Sequence, residues 1–73
     1  MATATETSYL QRVGETSGLI WHSLNESGPV AMSKLPKQID APRELVLMGL
    51  GWLAREGKIE IEEVGRKRIV SLS

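Results

Sequence analysis

Cysteine is absent from the 73-residue sequence, and histidine occurs once, as His22. The absence of cysteine excludes disulfide bonds, thiol catalysis and cysteine metal ligands. A zinc or haem site would have to be built from carboxylates, so we predict no metal and no cofactor. The carboxylates and serines have no catalytic base at a useful spacing, and the sequence has no glycine-rich phosphate loop. We therefore expect that the protein is not an enzyme.

Long apolar runs and a secretory signal are also missing from the sequence. No stretch approaches the roughly 20 apolar residues that are needed to span a bilayer. The basic and apolar regions of a signal peptide are not found at the N-terminus, which reads MATATETS. We therefore expect no membrane contact and a cytoplasmic location.

Basic and acidic residues balance each other, with nine of each. A protein that relied on non-specific attraction to phosphate would usually be clearly basic. The two halves differ, however, because residues 1–33 carry three acidic and one basic side chain, whereas residues 34–73 carry six acidic and eight basic ones. The C-terminal half therefore has the sign of charge that a nucleic-acid surface requires.

The length allows one domain, which we predict over residues 10–73, after a disordered polar tail of residues 1–9. Ser8 and Gln11 have the spacing of a capping box, so a first helix is predicted to begin there. A later start near Val13 is the alternative, because the glycines that follow destabilise a helix by up to about 1 kcal/mol each.

The first helix is predicted to have one apolar face and to end at residues 27–29, which read SGP. Gly14 and Gly18 lie beside that face, where the close approach of another backbone would explain them. Trp21 and Trp52 are expected in the core. The residues assigned to the apolar face are Leu10, Val13, Ser17, Ile20, Trp21 and Leu24.

The middle of the chain predicts a short strand and two further helices. Residues 30–32 are expected to pair with a C-terminal hairpin as its third strand. Ser33 is predicted to cap a short helix over residues 34–39, and Asp40 to cap a third helix over residues 42–56. The core face of the third helix is predicted to contain Leu45, Val46, Gly49, Leu50 and Leu53.

Gly57 is predicted to end the third helix and to lead into two antiparallel strands. A two-residue turn places Ile59 opposite Val70, whereas a three-residue turn places Ile61 opposite Ile69. We favour the first register, because it also brings the end of the last strand to the core. The order helix, strand, helix, helix, strand, strand predicts an α+β fold, mainly α: a winged helix-turn-helix with three helices and a small antiparallel sheet.

Four segments carry a resemblance to a known family: residues 18–21 (GLIW), 32–35 (MSKL), 48–59 (MGLGWLAREGKI) and 65–67 (GRK). On these residues, the chain resembles a small bacterial winged helix-turn-helix family that is known chiefly as a domain of unknown function. The resemblance covers about residues 13–72 and implies the winged-helix fold. It implies DNA binding by analogy with larger winged-helix regulators.

DNA contacts are predicted mainly at the wing, which is the turn between the last two strands. In a helix-turn-helix reader, the exposed face of the second helix of the pair enters the major groove. Here that face carries Glu44, Leu47, Met48, Gly51 and Arg55, which include almost none of the side chains that read base edges. Cations at the wing can contact phosphates or a minor groove. The predicted contact residues are Arg66, Lys67, Arg68, Arg55, Arg43, Lys34 and Lys37.

An alternative for the wing is that its cations only keep the tip soluble. Glu62 and Glu63 would then pair with them across the hairpin, although such pairs contribute only roughly 0.2–1 kcal/mol each.

An alternative function is an interaction with another protein or with a second copy of the chain. Leu47, Met48 and Trp52 would form an exposed apolar face on the third helix, unless the first helix or the N-terminal tail covers them. Gly49 and Gly51 would permit a close approach of helices, either inside the domain or across a dimer.

Overall fold

The computed structural model describes the backbone of residues 2–73 and the side chains of residues 9–73. Three helices and a three-stranded antiparallel sheet, with strand order β1-β3-β2, confirm the predicted fold class. The elements in chain order are α1 (Ala2–Ser27), β1 (Val30–Ala31), a 3₁₀ turn (Met32–Lys34), α2 (Leu35–Gln38), α3 (Arg43–Arg55), β2 (Ile59–Val64) and β3 (Lys67–Leu72).

The first helix starts earlier than the sequence predicts. It begins at Ala2 rather than at Ser8 or Val13, so residues 2–9, predicted to be a disordered tail, form its first turns. This segment contains neither proline nor glycine, and adding residues to an existing helix is much easier than nucleating a new one. The first helix therefore has 26 residues, which correspond to a rod roughly 39 Å long at 1.5 Å per residue.

The core lies between α1, α3 and the inner face of the sheet. All five residues predicted for the core face of α3 are buried. Two predictions about α1 are wrong, since Leu10 is 60% exposed and Trp21 is 36% exposed. Val13 is the first buried side chain among those described, so Leu10 lies beyond the packed body. The buried apolar residues are Val13, Ile20, Leu24, Leu35, Ile39, Leu45, Val46, Leu50, Leu53, Ile59 and Val70.

Helices α1 and α3 approach each other closely at Gly49. A Cβ atom at this position would lie 3.0 Å from Ile20 Cδ1 and 3.2 Å from the backbone nitrogen of Ser17. The predicted close approach inside the domain is therefore confirmed for Gly49. It is wrong for Gly14 and Gly18, where a Cβ would meet no described atom of a neighbouring element within 4 Å.

The side-chain caps predicted for α2 and α3 are wrong. The N-caps of α2 and α3 are Lys34 and Pro42, and neither makes a capping hydrogen bond through its side chain. Ser33 lies inside the 3₁₀ turn, and Asp40 lies two residues before the cap of α3. Pro42 has an extended ψ of 146°, and its carbonyl oxygen accepts a hydrogen bond of 3.1 Å from the Val46 N–H, so the helix begins directly after the proline.

The C-terminal end of α3 is a Schellman motif, and this confirms the prediction for Gly57. Gly57 has a φ of +73°, a conformation that is unfavourable for residues with a Cβ. The Lys58 N–H donates to the Leu53 carbonyl at 2.9 Å, and the Gly57 N–H donates to the Ala54 carbonyl at 3.1 Å. These bonds direct the chain straight into β2.

The hairpin register differs from both predicted registers. Gly65 and Arg66 form a two-residue turn, with Gly65 at φ +63° as in a type II′ turn. Because glycine takes the first position of the turn, Ile61 pairs with Val70, and the strands pair from Val64 and Lys67 at the tip. The length of the favoured turn was right, but its position was wrong by one residue.

The predicted third strand is confirmed, since Val30 pairs with Val70 and Ala31 pairs with Ile69. The central strand β3 therefore joins the segment before α2 to the wing. Ile61 shares the inner face with Ile59 but remains 41% exposed, because it lies closer to the tip of the hairpin.

Candidate nucleic-acid interface

The N-terminal end of α3 and the tip of the hairpin meet at a cleft of about 240 Å³. Four cations line it: one is the first residue of α3, one lies in the hairpin turn and two lie at the start of β3. Leu47 supplies an apolar wall. The segment Ala31–Ser33 forms the rest of the lining. We call this site the basic cleft, and define it by Arg43, Leu47, Arg66, Lys67 and Arg68.

Two local features of the sequence bring these cations together. Pro42 fixes the start of α3, so Arg43 occupies the first turn, with Leu47 one turn later on the same side. The pairing of Ala31 with Ile69 holds the hairpin beside the chain that precedes α2. The sheet therefore carries the wing cations towards Arg43, although more than twenty residues separate them in the sequence.

One of the wing cations has an acidic neighbour. Arg68 Nε lies 3.5 Å from Glu63 Oε2, and the two residues pair directly across the hairpin. Both side chains are more than half exposed, so the ion pair contributes only about 0.2–1 kcal/mol. Glu62 pairs with Ile69 and so points to the opposite face of the sheet. Among the described side chains, Arg66 and Lys67 form no salt bridge, and they extend into solvent.

Three other cations predicted to contact DNA do not line the basic cleft. Arg55 is the last residue of α3 and lies roughly 18 Å along the helix axis from Arg43, at 1.5 Å per residue. Lys34 ends the 3₁₀ turn and Lys37 lies in α2, outside the lining of the cleft. The structure therefore brings together four of the seven predicted contact residues.

The exposed side of α3 has two flanks with different surroundings. Leu47, Met48 and Trp52 are 42%, 44% and 43% exposed, so all three are accessible, as predicted. Leu47 belongs to the basic cleft, whereas Met48 and Trp52 lie on the flank beside α1. The Tyr9 hydroxyl lies 3.8 Å from Met48 Sδ, so α1 touches this flank without covering it. The apolar face predicted as one surface is therefore divided.

A second and larger groove of about 550 Å³ lies between α1, the C-terminal end of α3 and the end of the sheet. Its apolar walls include Trp21, Trp52 and Leu72. The prediction that Trp21 and Trp52 are core residues is wrong. Gly14 and Gly18, which were explained by the close approach of another backbone, instead face open space beside Trp21.

The side chains described, those of residues 9–73, contain no group of three histidine, aspartate or glutamate residues close enough to share a metal ion. In the backbone described, residues 2–73, no helix has both the length and the apolar character that crossing a bilayer requires.

Comparisons with known proteins agree with this architecture. Residues 6–72 match the family model of the winged helix-turn-helix domain DUF2582. The sequence is 36% identical over 64 residues to the uncharacterized protein MJ1608 of Methanocaldococcus jannaschii, covering 84% of this chain and 90% of that protein. The fold resembles the solution NMR structure of protein BT2368 from Bacteroides thetaiotaomicron, with a TM-score of 0.76, 31% identity, and coverage of 85% of this chain and 76% of that one. The resemblance seen in the sequence is thereby confirmed, and the chain belongs to the DUF2582 family of winged helix-turn-helix domains.

Proposed function

We propose that this domain binds double-stranded nucleic acid through the phosphate backbone, and that the basic cleft makes the contact. The winged helix-turn-helix is a fold often used for DNA binding, which gives the proposal its starting point. The main support for the proposal is that four cations from two distant parts of the chain line one cleft: Arg43, Arg66, Lys67 and Arg68.

The composition of the basic cleft suits phosphate better than base edges. Guanidinium groups form paired hydrogen bonds with phosphate oxygens, and the cleft contains three arginines. Leu47, in the middle of these cations, can contact a sugar or a thymine methyl group but cannot distinguish most base pairs. The basic cleft therefore suits the phosphate backbone of a nucleic acid together with an adjacent apolar group, such as a sugar or a thymine methyl group.

The remainder of α3 supports backbone binding over sequence reading. Glu44 lies in the first turn and would repel phosphate, while Met48 and Gly51 offer no hydrogen bond to a base. The net charge of the whole chain is zero, so attraction is local to the cleft. Each neutralised phosphate contributes a slope of about −0.9 to the dependence of log K on log salt, so four cations give roughly −3 to −4.

The proposal is tested by fluorescence anisotropy with a labelled DNA duplex, titrated with protein at low salt and then at rising salt. The double variant Arg66→Gln, Lys67→Gln is expected to bind at least roughly tenfold more weakly, and its salt slope should fall by about two. The matched control is Lys34→Gln, Lys37→Gln, which removes the same charge outside the cleft and should bind almost as the wild type does.

Two results would reject the proposal. One is an absence of binding by the wild-type domain at low salt. The other is an equal loss of affinity in both double variants, because this would indicate diffuse attraction to the whole protein instead of contact through the cleft.

A further inference from the structure

A second surface lies on the opposite flank of α3 from the basic cleft, and nucleic-acid binding leaves it unexplained. It consists of five large apolar or aromatic side chains, each 36–60% exposed. We call it the α1–α3 apolar face. Its residues are Tyr9, Leu10, Trp21, Met48 and Trp52.

Four members of the α1–α3 apolar face adjoin one another, and the fifth, Leu10, follows Tyr9 on the exposed N-terminal part of α1. Tyr9 Oη lies 3.8 Å from Met48 Sδ, which joins the N-terminal part of α1 to α3. Met48 and Trp52 are one helical turn apart and so lie on the same side of α3. Trp52 and Trp21 line the same groove. The face is therefore continuous across both helices.

The area of this face matches what a small dimer needs. Aromatic side chains bury 150–250 Å² each, so five large side chains with about two-fifths exposure offer roughly 400–500 Å² per copy. Patches of this size on a monomer are often functional. Two copies that meet through this face remove roughly 1,000 Å² from water, which is the lower limit for a specific interface.

The five side chains of the face are apolar or aromatic, and an ion pair at its rim is closed within each copy, where Lys58 Nζ lies 3.5 Å from Glu56 Oε1. The Arg12 guanidinium lies 5.8 Å from the centroid of the Tyr9 ring, a cation–π contact that leaves its positive charge in place. Two identical faces therefore meet without opposing charges within the face itself. The basic cleft would repel a second basic cleft.

The shape of the molecule also indicates a partner that brings another α1. The structure measures 46 × 23 × 23 Å, and α1 accounts for most of the long dimension. Of the described side chains, Tyr9, Leu10, Gln11 and Arg12 are exposed, and burial begins only at Val13. A protruding helix end gains packing when the same segment of a second copy lies against it.

We propose that the α1–α3 apolar face binds a second copy of this chain through a two-fold interface. Such an interface uses the same patch on both copies. We place the two-fold axis perpendicular to α1 and near Gly14, so that the two α1 helices cross in antiparallel directions and Leu10 of each copy lies opposite Gly18 of the other. Both glycines face open space in the single chain, so they leave room for the opposing leucine. This proposal does not depend on nucleic-acid binding, because the basic clefts remain free on the outer flanks.

Sedimentation equilibrium of the full chain over a wide concentration range tests the proposal. The wild type is expected to approach twice its monomer mass of 8.0 kDa. Leu10→Glu should raise the dissociation constant of the dimer at least roughly tenfold. Leu19→Glu is the matched control, since Leu19 is an exposed leucine of the same helix, 48% accessible, on the side away from Leu10, and it should leave the mass unchanged.

A second variant separates loss of the dimer from loss of the fold. In Gly14→Gln, the added Cβ has no described atom of another element within 4 Å and the side chain starts out into open space, so the monomer should keep its circular dichroism spectrum. In the dimer the same side chain blocks the helix crossing, and the mass should fall towards 8.0 kDa.

Three results would overturn the proposal. The first is a wild-type chain that stays monomeric at the highest concentration, whether or not it binds DNA. The second is a dimer that persists in both Leu10→Glu and Gly14→Gln. The third is a dimer that only Leu19→Glu disrupts. The cleft variant Arg66→Gln, Lys67→Gln should keep the wild-type mass, so failure of this proposal is distinguishable from failure of nucleic-acid binding.

Discussion

The two flanks of α3 belong to one helix of 13 residues but expose different chemistry. The flank towards the hairpin places Leu47 among three arginines and a lysine. The flank towards α1 places Met48 and Trp52 beside Tyr9 and Trp21. Leu47 and Met48 are neighbours in the sequence with nearly equal exposure, 42% and 44%. What differs is the element that lies next to each of them.

This comparison shows that the surroundings of a helix determine what an exposed apolar residue can bind. Residues one apart on a helix point about 100° away from each other, so Leu47 faces the wing and Met48 faces α1. In the functions proposed above, the leucine among cations belongs to the phosphate-binding surface and the methionine among aromatic rings belongs to the dimer interface. Under these proposals, one short helix serves two partners.

The largest loss of stability is expected from a substitution that displaces α3 from α1 and so disturbs both flanks of α3. In Gly49→Val, the new side chain would meet Ile20 Cδ1 and the Ser17 backbone, where even a Cβ would lie only 3.0–3.3 Å away. We expect a loss of about 3 kcal/mol in the free energy of unfolding, because helix α3 would be pushed away from α1. Urea denaturation followed by circular dichroism measures this loss.

The control for Gly49→Val is Gly51→Ala on the open side of the same helix, where a Cβ meets nothing within 4 Å. It should stabilise the domain by about 0.5–1 kcal/mol, since alanine is the better helix former. If the two variants changed stability equally, the close contact between α1 and α3 would not hold the flanks in position.

The next largest effects are expected from substitutions of two neighbouring residues, one on each flank, which test whether DNA binding and dimerisation depend on different flanks. Leu47→Glu introduces a negative charge into the basic cleft and should weaken duplex binding roughly tenfold, while the mass of the dimer stays unchanged. Met48→Glu should do the reverse, because its charge would enter the apolar interface. Anisotropy and sedimentation on the same two preparations measure both properties. Loss of both properties in either variant would show that the flanks act as one surface.

The fold could be predicted from the sequence because its signals are local. Pro42 and Gly57 delimit α3, and the apolar spacing between them identifies its buried face. The alternation of apolar residues identified both hairpin strands. The register was predicted wrongly, because it depends on which residue takes the first position of the turn. Gly65 can occupy either central position, and only the folded sheet selects one of them.

The two surfaces were harder to predict, because they depend on contacts between distant segments. Arg66, Lys67 and Arg68 stood out as a cluster, and the pairing of β1 with β3 was needed to place them beside Arg43. Helical spacing places Trp21 on the apolar face of α1, and the sequence predicts both tryptophans in the core. Their exposure depends on the groove between α1 and the C-terminal end of α3. The apolar spacing within a single helix does not show where such a groove lies.

The smallest effect concerns the ion pair at the edge of the basic cleft. Glu63→Gln removes the partner that lies 3.5 Å from Arg68 Nε and leaves a side chain of nearly the same size. The free energy of unfolding should change by less than about 0.5 kcal/mol, since the pair is exposed. The affinity for duplex DNA should rise about twofold to threefold, because Arg68 is released and a negative charge is removed from the edge of the cleft.

Glu62→Gln provides the matched control, because it removes the same charge one residue away, on the opposite face of the sheet. Screening by salt shortens the range of a surface charge to about 8–10 Å, so Glu62 should influence the cleft less than Glu63 does. An increase in affinity for Glu63→Gln alone would show that phosphate binds on the inner face of the wing. Equal increases for both variants would place the nucleic acid at the tip of the hairpin instead, where the two faces of the sheet are equally close to it.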